Sequence, residues 1–157
     1  MSARGYPVFP EPGRQIVREE MLIGGSAMPL ENPATFACRC INRSMYFFNI
    51  ADPRDRPALF DRSIVDAVTA LESIGAAEAC CGEAIRRYRY APRVFMVPPW
   101  PELFHTDAER QHKFEAAEAE FHALMESFPA KGYEVLIVPR ATIPERVDFL
   151  ESRLAGK

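Results

Sequence analysis

The sequence predicts an α/β fold in three layers, in which helices cover both faces of a mostly parallel sheet. Three observations support this fold class. The 157 residues suffice for one hydrophobic core, short apolar segments alternate with segments of helical periodicity, and prolines and glycines separate the two kinds. Strands that alternate with helices pair in parallel through right-handed crossovers. We therefore expect a single domain over residues 1–157.

Four short apolar segments are predicted to be buried strands, because none of them has a polar face. They are residues 6–9, 58–60, 93–97 and 134–138. The segment before the first strand ends in Gly5 and looks like the last turn of a helix followed by its terminal glycine. By this pattern the chain begins inside a strand-and-helix unit.

Helices are predicted between the strands from apolar periodicity and capping signals. The predicted ranges are 13–23, 33–48, 64–74, 77–88, 107–128 and from about 144 onward. Asn32 followed by Pro33 is typical of an N-cap with proline in the first turn. Gly24 and Gly25 end the first helix, and Gly75 separates the third helix from the fourth.

The composition excludes several classes of function. A net charge of −3 with 26% charged residues is that of an ordinary globular domain, without the basic excess that nucleic acids or anionic membranes require. No apolar run reaches the roughly 20 residues that span a bilayer, and polar residues interrupt the N-terminus where a secretory signal would be apolar. We expect a cytoplasmic protein that binds neither nucleic acid polymers nor membranes.

The four cysteines, Cys38, Cys40, Cys80 and Cys81, raise the question of a zinc site. Structural zinc sites usually have about two to four residues between paired cysteines on a turn. Here a single residue separates one pair inside a predicted helix, and the other pair is adjacent. The spacing therefore favours buried or half-buried thiols over zinc.

Polar residues follow the predicted strands, where ligands bind in an open parallel sheet. Glu11 and Arg14 follow the first strand, and Asp61, Arg62 and Ser63 follow the second. A buried strand that ends in aspartate is typical of the Walker B pattern, in which the carboxylate binds Mg²⁺ beside nucleotide phosphates. The alternative role for such an aspartate is to cap the following helix.

Two of these strand ends are similar to elements of known kinases. Asp61-Arg62-Ser63 is similar to the Asp/Glu-Arg-Ser element of deoxynucleoside kinases, whose arginine contacts phosphate. Glu11-Pro12 is similar to the Glu-Pro element of the same enzymes and of thymidylate kinases. The two elements together indicate a kinase-like site more specifically than either one does.

Nearly the whole chain resembles the small predicted P-loop ATPases that carry an AAA domain label and look like nucleotide kinases. The matching segments are residues 5–8, 11, 14, 16–19, 60–63, 93–95, 98–102, 106–110 and 132–134. The most specific are Pro-Pro-Trp-Pro-Glu at 98–102 and Thr-Asp-Ala-Glu-Arg at 106–110. The resemblance implies a P-loop α/β/α sandwich that binds ATP and Mg²⁺.

The resemblance also implies an activity, either phosphate transfer to a nucleotide or an unknown small-molecule acceptor or hydrolysis of ATP. In this scheme Asp61 binds Mg²⁺, and Glu11 orients the acceptor or serves as base. The residues expected to bind the acceptor are Arg14, Arg62, Ser63 and Trp100, and those expected to bind the nucleotide are Arg110 and Arg140. Arg14 suits an anionic acceptor because a guanidinium binds such groups through two parallel hydrogen bonds.

Residues 100–111 lie where nucleotide kinases have a mobile lid, which implies that Arg110 contacts the γ-phosphate and takes part in catalysis. The alternative for Arg110 is a solvated charge on a helix face. Trp100 either stacks on a base or covers the core below the neighbouring prolines, and the second role is the more common one.

One element of the family is missing from the 157 residues. Family members have a strand, a GxxxxGK[ST] loop and most of a helix before the segment that corresponds to residues 3–6, and no such motif occurs here. That loop supplies backbone N–H groups, a lysine and a hydroxyl for the phosphates and Mg²⁺. The resemblance implies that the missing strand is central in the sheet, and that about thirty residues carrying the loop precede Met1 in the native protein. Little binding of Mg-ATP is then expected from the 157 residues.

Two other functional classes stay open. The first is a noncatalytic binding module, derived from a P-loop kinase, that keeps only the acceptor side. The second is a different α/β binding domain, in which Glu11 and Asp61 are only helix caps. Binding of ATP distinguishes both from a kinase or an ATPase.

Overall fold

The computed structural model describes residues 1–52, 56–103 and 114–154. Within these ranges the chain is mixed α/β structure in two compact units, Met1–Arg89 and Tyr90–Lys157. Each unit contains one pair of short parallel strands with helices beside it. The mixed α/β class with parallel strands is thereby confirmed. The three-layer sandwich and the single domain stay predictions.

The first unit contains one strand pair and four helices. They are β1 (Val8–Phe9), α1 (Pro12–Ile23), α2 (Pro33–Ile50), β2 (Leu59–Phe60), α3 (Ile64–Ser73) and α4 (Ala79–Arg87). The strands are parallel, with Val8 opposite Leu59 and Phe9 opposite Phe60. β1 is shorter than predicted, and Pro7 explains part of this because it has no N–H to donate to a neighbouring strand.

The helix ends in this unit follow the predicted capping residues. The side chain of Asn32 accepts a hydrogen bond from the backbone N of Thr35 at 3.2 Å. Gly24 ends α1 in the left-handed conformation. Gly5, with φ of +80°, likewise ends a short 3-10 turn. Helix α2 continues past its predicted end at Phe48 and ends at Ile50. The ring of Phe48 meets the ring of Tyr88 edge-on, with centroids 5.5 Å apart.

The core of the first unit lies between α2, α3 and the strand pair. Helix α3 is the most buried element, and its buried apolar residues are Ile64, Val65, Ala67, Val68 and Leu71. Phe9 stacks on Phe60 with ring centroids 4.9 Å apart, and Phe47 of α2 lies 5.5 Å from Phe9. The aromatic contacts therefore join α2 to both strands. Each large apolar side chain of the core that is fully buried contributes about 1.5–3 kcal/mol to the free energy of folding.

Helix α1 buries a carboxylate along with its apolar face. Ile16, Val17 and Glu20 are buried, whereas Met21 is exposed although it shares their helical spacing. Glu20 accepts a hydrogen bond from the backbone N of Ala27 at 2.7 Å and forms an ion pair with Arg39 of α2. Glu20 thus connects α1, the loop after it and α2.

In its described residues, the second unit contains the other strand pair and two helices. They are β3 (Arg93–Met96), α5 (Phe114–Ala130), β4 (Glu134–Ile137) and α6 (Ile143–Leu154), with a 3-10 turn at Pro101–Leu103. Arg93 lies opposite Glu134 in the parallel pair, and Phe95 meets Phe149 of α6 edge-on at 6.5 Å. In α5 the predicted apolar face buries Leu124 and Phe128. The predicted start of this helix at Asp107 lies outside the described residues.

The cysteines lie in helices. Cys38 and Cys40 are in α2, and Cys80 and Cys81 are in α4. The second member of each pair is buried as predicted, whereas Cys38 and Cys80 are exposed, so the prediction of buried or half-buried thiols is wrong for these two. Within the described ranges, no three cysteine, histidine or carboxylate side chains are grouped as a metal site requires.

Helix α2 is the longest described helix, with 18 residues. It carries Arg39 and Arg43 near its middle. Across residues 1–52, 56–103 and 114–154, no helix combines the length and the apolar character needed to cross a bilayer.

Candidate functional site

The parallel pairing of β1 and β2 brings the ends of two strands together. The backbone N of Asp61 donates a hydrogen bond to the carbonyl oxygen of Phe9 at 2.9 Å, one residue beyond the last paired position. Glu11 follows β1 by two residues, and Asp61 and Arg62 follow β2 directly. Glu11, Asp61 and Arg62 therefore lie at one edge of this strand pair.

Glu11 occupies the N-cap position of α1, but within the described chain its side chain makes no capping hydrogen bond. Its Oε2 lies 3.6 Å from Nε of Arg14, and both side chains are about one-third exposed. A Cβ at Gly13 would lie 3.2 Å from Oε1 of Glu11 and 3.2 Å from the ring of Phe36. The missing side chain at position 13 thus lets Glu11 lie against the first turn of α1, where it pairs with Arg14.

Asp61 is exposed and does not cap the next helix. Ser63 is the N-cap of α3, since its Oγ accepts a hydrogen bond from the backbone N of Val65 at 3.1 Å. The helix-cap alternative therefore does not apply to Asp61. An exposed carboxylate at a strand end suits Mg²⁺, which usually takes one or two protein carboxylates together with phosphate and water oxygens.

Arg62 is the one described residue other than glycine with a positive φ, +72°. This left-handed conformation costs an L-residue roughly 1–2 kcal/mol. The guanidinium Nη1 lies 3.2 Å from Oδ1 of Asp66, and about a third of the Arg62 side chain is exposed. Arg62, which is predicted to contact phosphate, thus has both an unfavourable backbone conformation and an ion pair.

Asp66 accepts hydrogen bonds from two residues through its two oxygens. Oδ1 accepts from Arg62, and Oδ2 accepts from the backbone N of Ser63 at 2.9 Å and from its Oγ at 2.7 Å. These bonds complete a capping box at the start of α3. The hydroxyl of Ser63, which the resemblance assigns to the acceptor, is engaged in this box.

Cys40 of α2 lies close to the same edge. Burial raises the pKa of its thiol to about 12, and the negative charge of Glu11 is the next cause of the rise. The guanidinium groups of Arg62 and Arg43 act against the rise, and the carboxylate of Asp66 adds to it. One buried thiol is therefore within electrostatic range of residues from both strand ends.

Sequence reasoning missed Asp66, Arg43 and Cys40 as neighbours of this edge. Asp66 has a local signal, because Ser-x-x-Asp is a capping-box pattern and Asp66 follows Arg62 at the four-residue spacing of a helical ion pair. Cys40 and Arg43 have no such signal. They reach the edge because α2 packs on the strand pair, which is a tertiary contact.

Two other predicted site residues lie in the second unit. Nη2 of Arg140 donates to the carbonyl oxygen of Pro99 at 2.5 Å, which joins the segment after β4 to the segment after β3. The ring of Trp100 is half-buried and lies 6.0 Å from the guanidinium carbon of Arg146. Arg110 and residues 104–111 of the predicted lid lie outside the described residues.

A protein family whose description is AAA domain matches residues 1–146 of the chain. Neither curated proteins nor solved structures gave a match. The match covers 146 of 157 residues and confirms the resemblance inferred from the sequence. It indicates a P-loop nucleotide-binding or ATPase-like protein. The chain therefore belongs to the AAA domain family.

Proposed function

We propose that the chain carries the acceptor-binding and Mg²⁺-binding side of an ATP-dependent phosphotransferase, or of an ATPase, of the P-loop class. The observation that carries this proposal is the parallel pairing of β1 with β2, with Glu11, Asp61 and Arg62 at one edge. Open parallel sheets bind their ligands at such an edge. Family membership supplies the P-loop class, and the two kinase-like strand ends favour a small molecule or nucleotide as acceptor.

Each side chain at the edge has a role that fits its surroundings. If bound here, ATP would supply the phosphoryl group, and Mg²⁺ would neutralise part of the phosphate charge. Asp61 binds the metal, because its carboxylate is exposed and Ser63 supplies the cap of α3. Glu11 orients the acceptor hydroxyl or accepts its proton, and Arg14 holds the Glu11 carboxylate from 3.6 Å away.

The arginines neutralise phosphate charge in this proposal. Arg62 contacts a phosphate of the acceptor or of the transferred group, because a charge-assisted hydrogen bond from guanidinium to phosphate is among the stronger polar contacts in proteins. Trp100, Arg110 and Arg140 are assigned to the acceptor base and the nucleotide by resemblance alone.

The acceptor side can be tested with the 157-residue chain. A thermal-shift screen of nucleosides, nucleoside 5′-monophosphates and small phosphorylated metabolites, followed by calorimetry, is expected to find a phosphate-bearing ligand. Arg62→Ala should weaken its binding about tenfold or more, since a hydrogen bond to a charged group contributes about 1.5–3 kcal/mol.

Arg86→Ala is the matched control, because Arg86 is an exposed arginine that pairs with Glu83 on α4. Ligand affinity should not change in this variant. A ligand that binds equally well to the wild type and to Arg62→Ala contradicts the assignment of Arg62.

A noncatalytic binding module is the second candidate, and one observation favours it. The 157 residues contain no GxxxxGK[ST] segment to hold the phosphates of ATP. Formation of ADP in the presence of the ligand, measured on the 157-residue chain, separates the two candidates. ADP formation that is lost in Asp61→Asn supports the phosphotransferase or ATPase, whereas ligand binding without ADP formation supports the module.

A further inference from the structure

The conformation of Arg62 requires an explanation beyond the pairing of β1 with β2. Its φ of +72° is unfavourable for any residue with a Cβ. Such conformations persist where surrounding contacts enforce them, and they are common at ligand sites. One contact of Arg62 is with Asp66 at the start of α3, where Ser63 is the N-cap.

Asp66 is the side chain that joins Arg62 to α3. One carboxylate oxygen accepts from Nη1 of Arg62 at 3.2 Å, while the other accepts from the backbone N and the Oγ of Ser63 at 2.9 and 2.7 Å. The Asp66 side chain is 13% exposed, compared with 36% for Arg62. Asp66, the more buried partner, is held by the capping box of α3. The ion pair therefore connects the partly exposed guanidinium of Arg62 to a helix.

We infer that Asp66 is a positioning residue, which holds the guanidinium of Arg62 in the orientation that meets a phosphate monoester at the edge of β1 and β2. The inference rests on the proposed function, in which Arg62 contacts phosphate. A guanidinium binds phosphate through a planar fork of N–H donors, so its orientation decides how many bonds form. Holding the side chain beforehand also reduces the conformational entropy that binding costs.

The variant Asp66→Asn tests this role. One carboxylate oxygen of Asp66 accepts from Arg62, and the other accepts from the backbone N and Oγ of Ser63. An asparagine amide has a single acceptor oxygen, so it can serve the cap or Arg62, but its NH₂ group repels the remaining donor. The substitution keeps the size of the side chain and removes one of the two connections.

Glu145→Gln is the matched control. Glu145 accepts the same kind of hydrogen bonds at the start of α6, where its Oε2 accepts from the backbone N of Thr142 at 2.8 Å and from Oγ1 at 2.6 Å. This variant therefore removes the charge from a comparable interaction at a helix start in the other unit. Circular dichroism and amide NMR spectra of both variants verify that they fold.

The first measurement needs no ligand. Relaxation of the ¹⁵N nucleus at Nε of Arg62 reports how ordered the guanidinium is on the fast timescale. We expect the order parameter to fall clearly in Asp66→Asn and to be unchanged in Glu145→Gln. An order parameter in Asp66→Asn equal to that of the wild type overturns the inference.

The second measurement is phosphate selectivity, defined as the dissociation constant of a nucleoside divided by that of its 5′-monophosphate. Asp66→Asn should lower this ratio about tenfold with little change in nucleoside affinity, because one charge-assisted contact is weakened. A ratio that stays at the wild-type value also overturns the inference. If the wild type itself shows no selectivity for any monophosphate, the proposed function fails, and the relaxation measurement alone decides whether Asp66 orders Arg62.

Discussion

Gly25 packs directly against the buried carboxylate of Glu20, so closely that a Cβ at position 25 would lie inside 3.0 Å of Oε2 and of the carboxyl carbon. The carboxylate has little room to move aside. It is 1% exposed, it accepts a hydrogen bond from the backbone N of Ala27 at 2.7 Å, and it pairs with Arg39. Glycine at position 25 is therefore a condition for the connection between α1 and α2.

Gly25→Ala is expected to lower the free energy of unfolding by about 1–3 kcal/mol, because the new methyl group displaces the carboxylate from the N–H of Ala27. Urea unfolding followed by circular dichroism measures the loss. The control is Gly82→Ala in α4, where a Cβ would meet nothing within 4 Å. That change should be neutral or stabilise by up to about 1 kcal/mol through helix propensity. Equal stability of the two variants would refute the account of Gly25.

The backbone of Arg62 predicts an unusual order of stability between two variants. Arg62→Gly and Arg62→Ala both remove the ion pair with Asp66, but only glycine adopts a φ of +72° without steric cost. The glycine variant should be more stable than the alanine variant by about 1 kcal/mol. Chemical denaturation of both proteins gives the difference.

The opposite order is expected within a helix. At the exposed helical position Ala70, the change to glycine should cost about 0.5–1 kcal/mol. If glycine is also the less stable choice at position 62, the left-handed conformation of Arg62 is not a source of strain.

The thiol of Cys40 predicts a loss of stability in alkali. Its pKa is about 12 in the folded protein, above the usual value of 9.0 that applies when the chain is unfolded. The folded state therefore keeps a proton that the unfolded state releases, so this contribution is fully present below about pH 9 and declines as the pH rises towards the folded pKa. The slope from this one group is at most about 1.4 kcal/mol per pH unit.

Urea unfolding of the wild type and of Cys40→Ala, from about pH 8 to about pH 11, measures this contribution. Other groups also titrate in this range, so the informative quantity is the difference between the two proteins. We expect the wild type to lose stability more steeply than the variant above about pH 9. Parallel pH profiles would show that the thiol ionises as easily in the folded chain as in the unfolded one.

Features that depend on a few neighbouring residues could be predicted from the sequence. Gly24 ends α1 and Asn32 caps α2 because each acts on the backbone next to it. The convergence of Glu11 and Asp61 could also be predicted, since parallel strands place their carboxyl ends at one edge regardless of their exact length.

Features that depend on packing between helices could not be predicted. Glu20 shares helical spacing with Ile16 and Val17, but only the partners Ala27 and Arg39 make its burial tolerable. The role of Ser63 as cap was hidden for a different reason, because Asp61 two residues earlier is an equally good capping residue by type. Between the two residues lies the left-handed turn at Arg62, which a single sequence does not reveal.

Ser63, and not Asp61, caps α3, and this affects which substitutions related chains can accept at the two positions. Helix α3 draws its starting hydrogen bonds from position 63, so a lineage that had given up cation chemistry would gain nothing structural from keeping an acidic residue at position 61. Position 63 tolerates substitution less well, because loss of the capping side chain destabilises α3 whether or not the protein is active. If Asp61 binds Mg²⁺ as proposed, relatives that lost this binding are expected to vary at position 61 while a capping residue is kept at position 63.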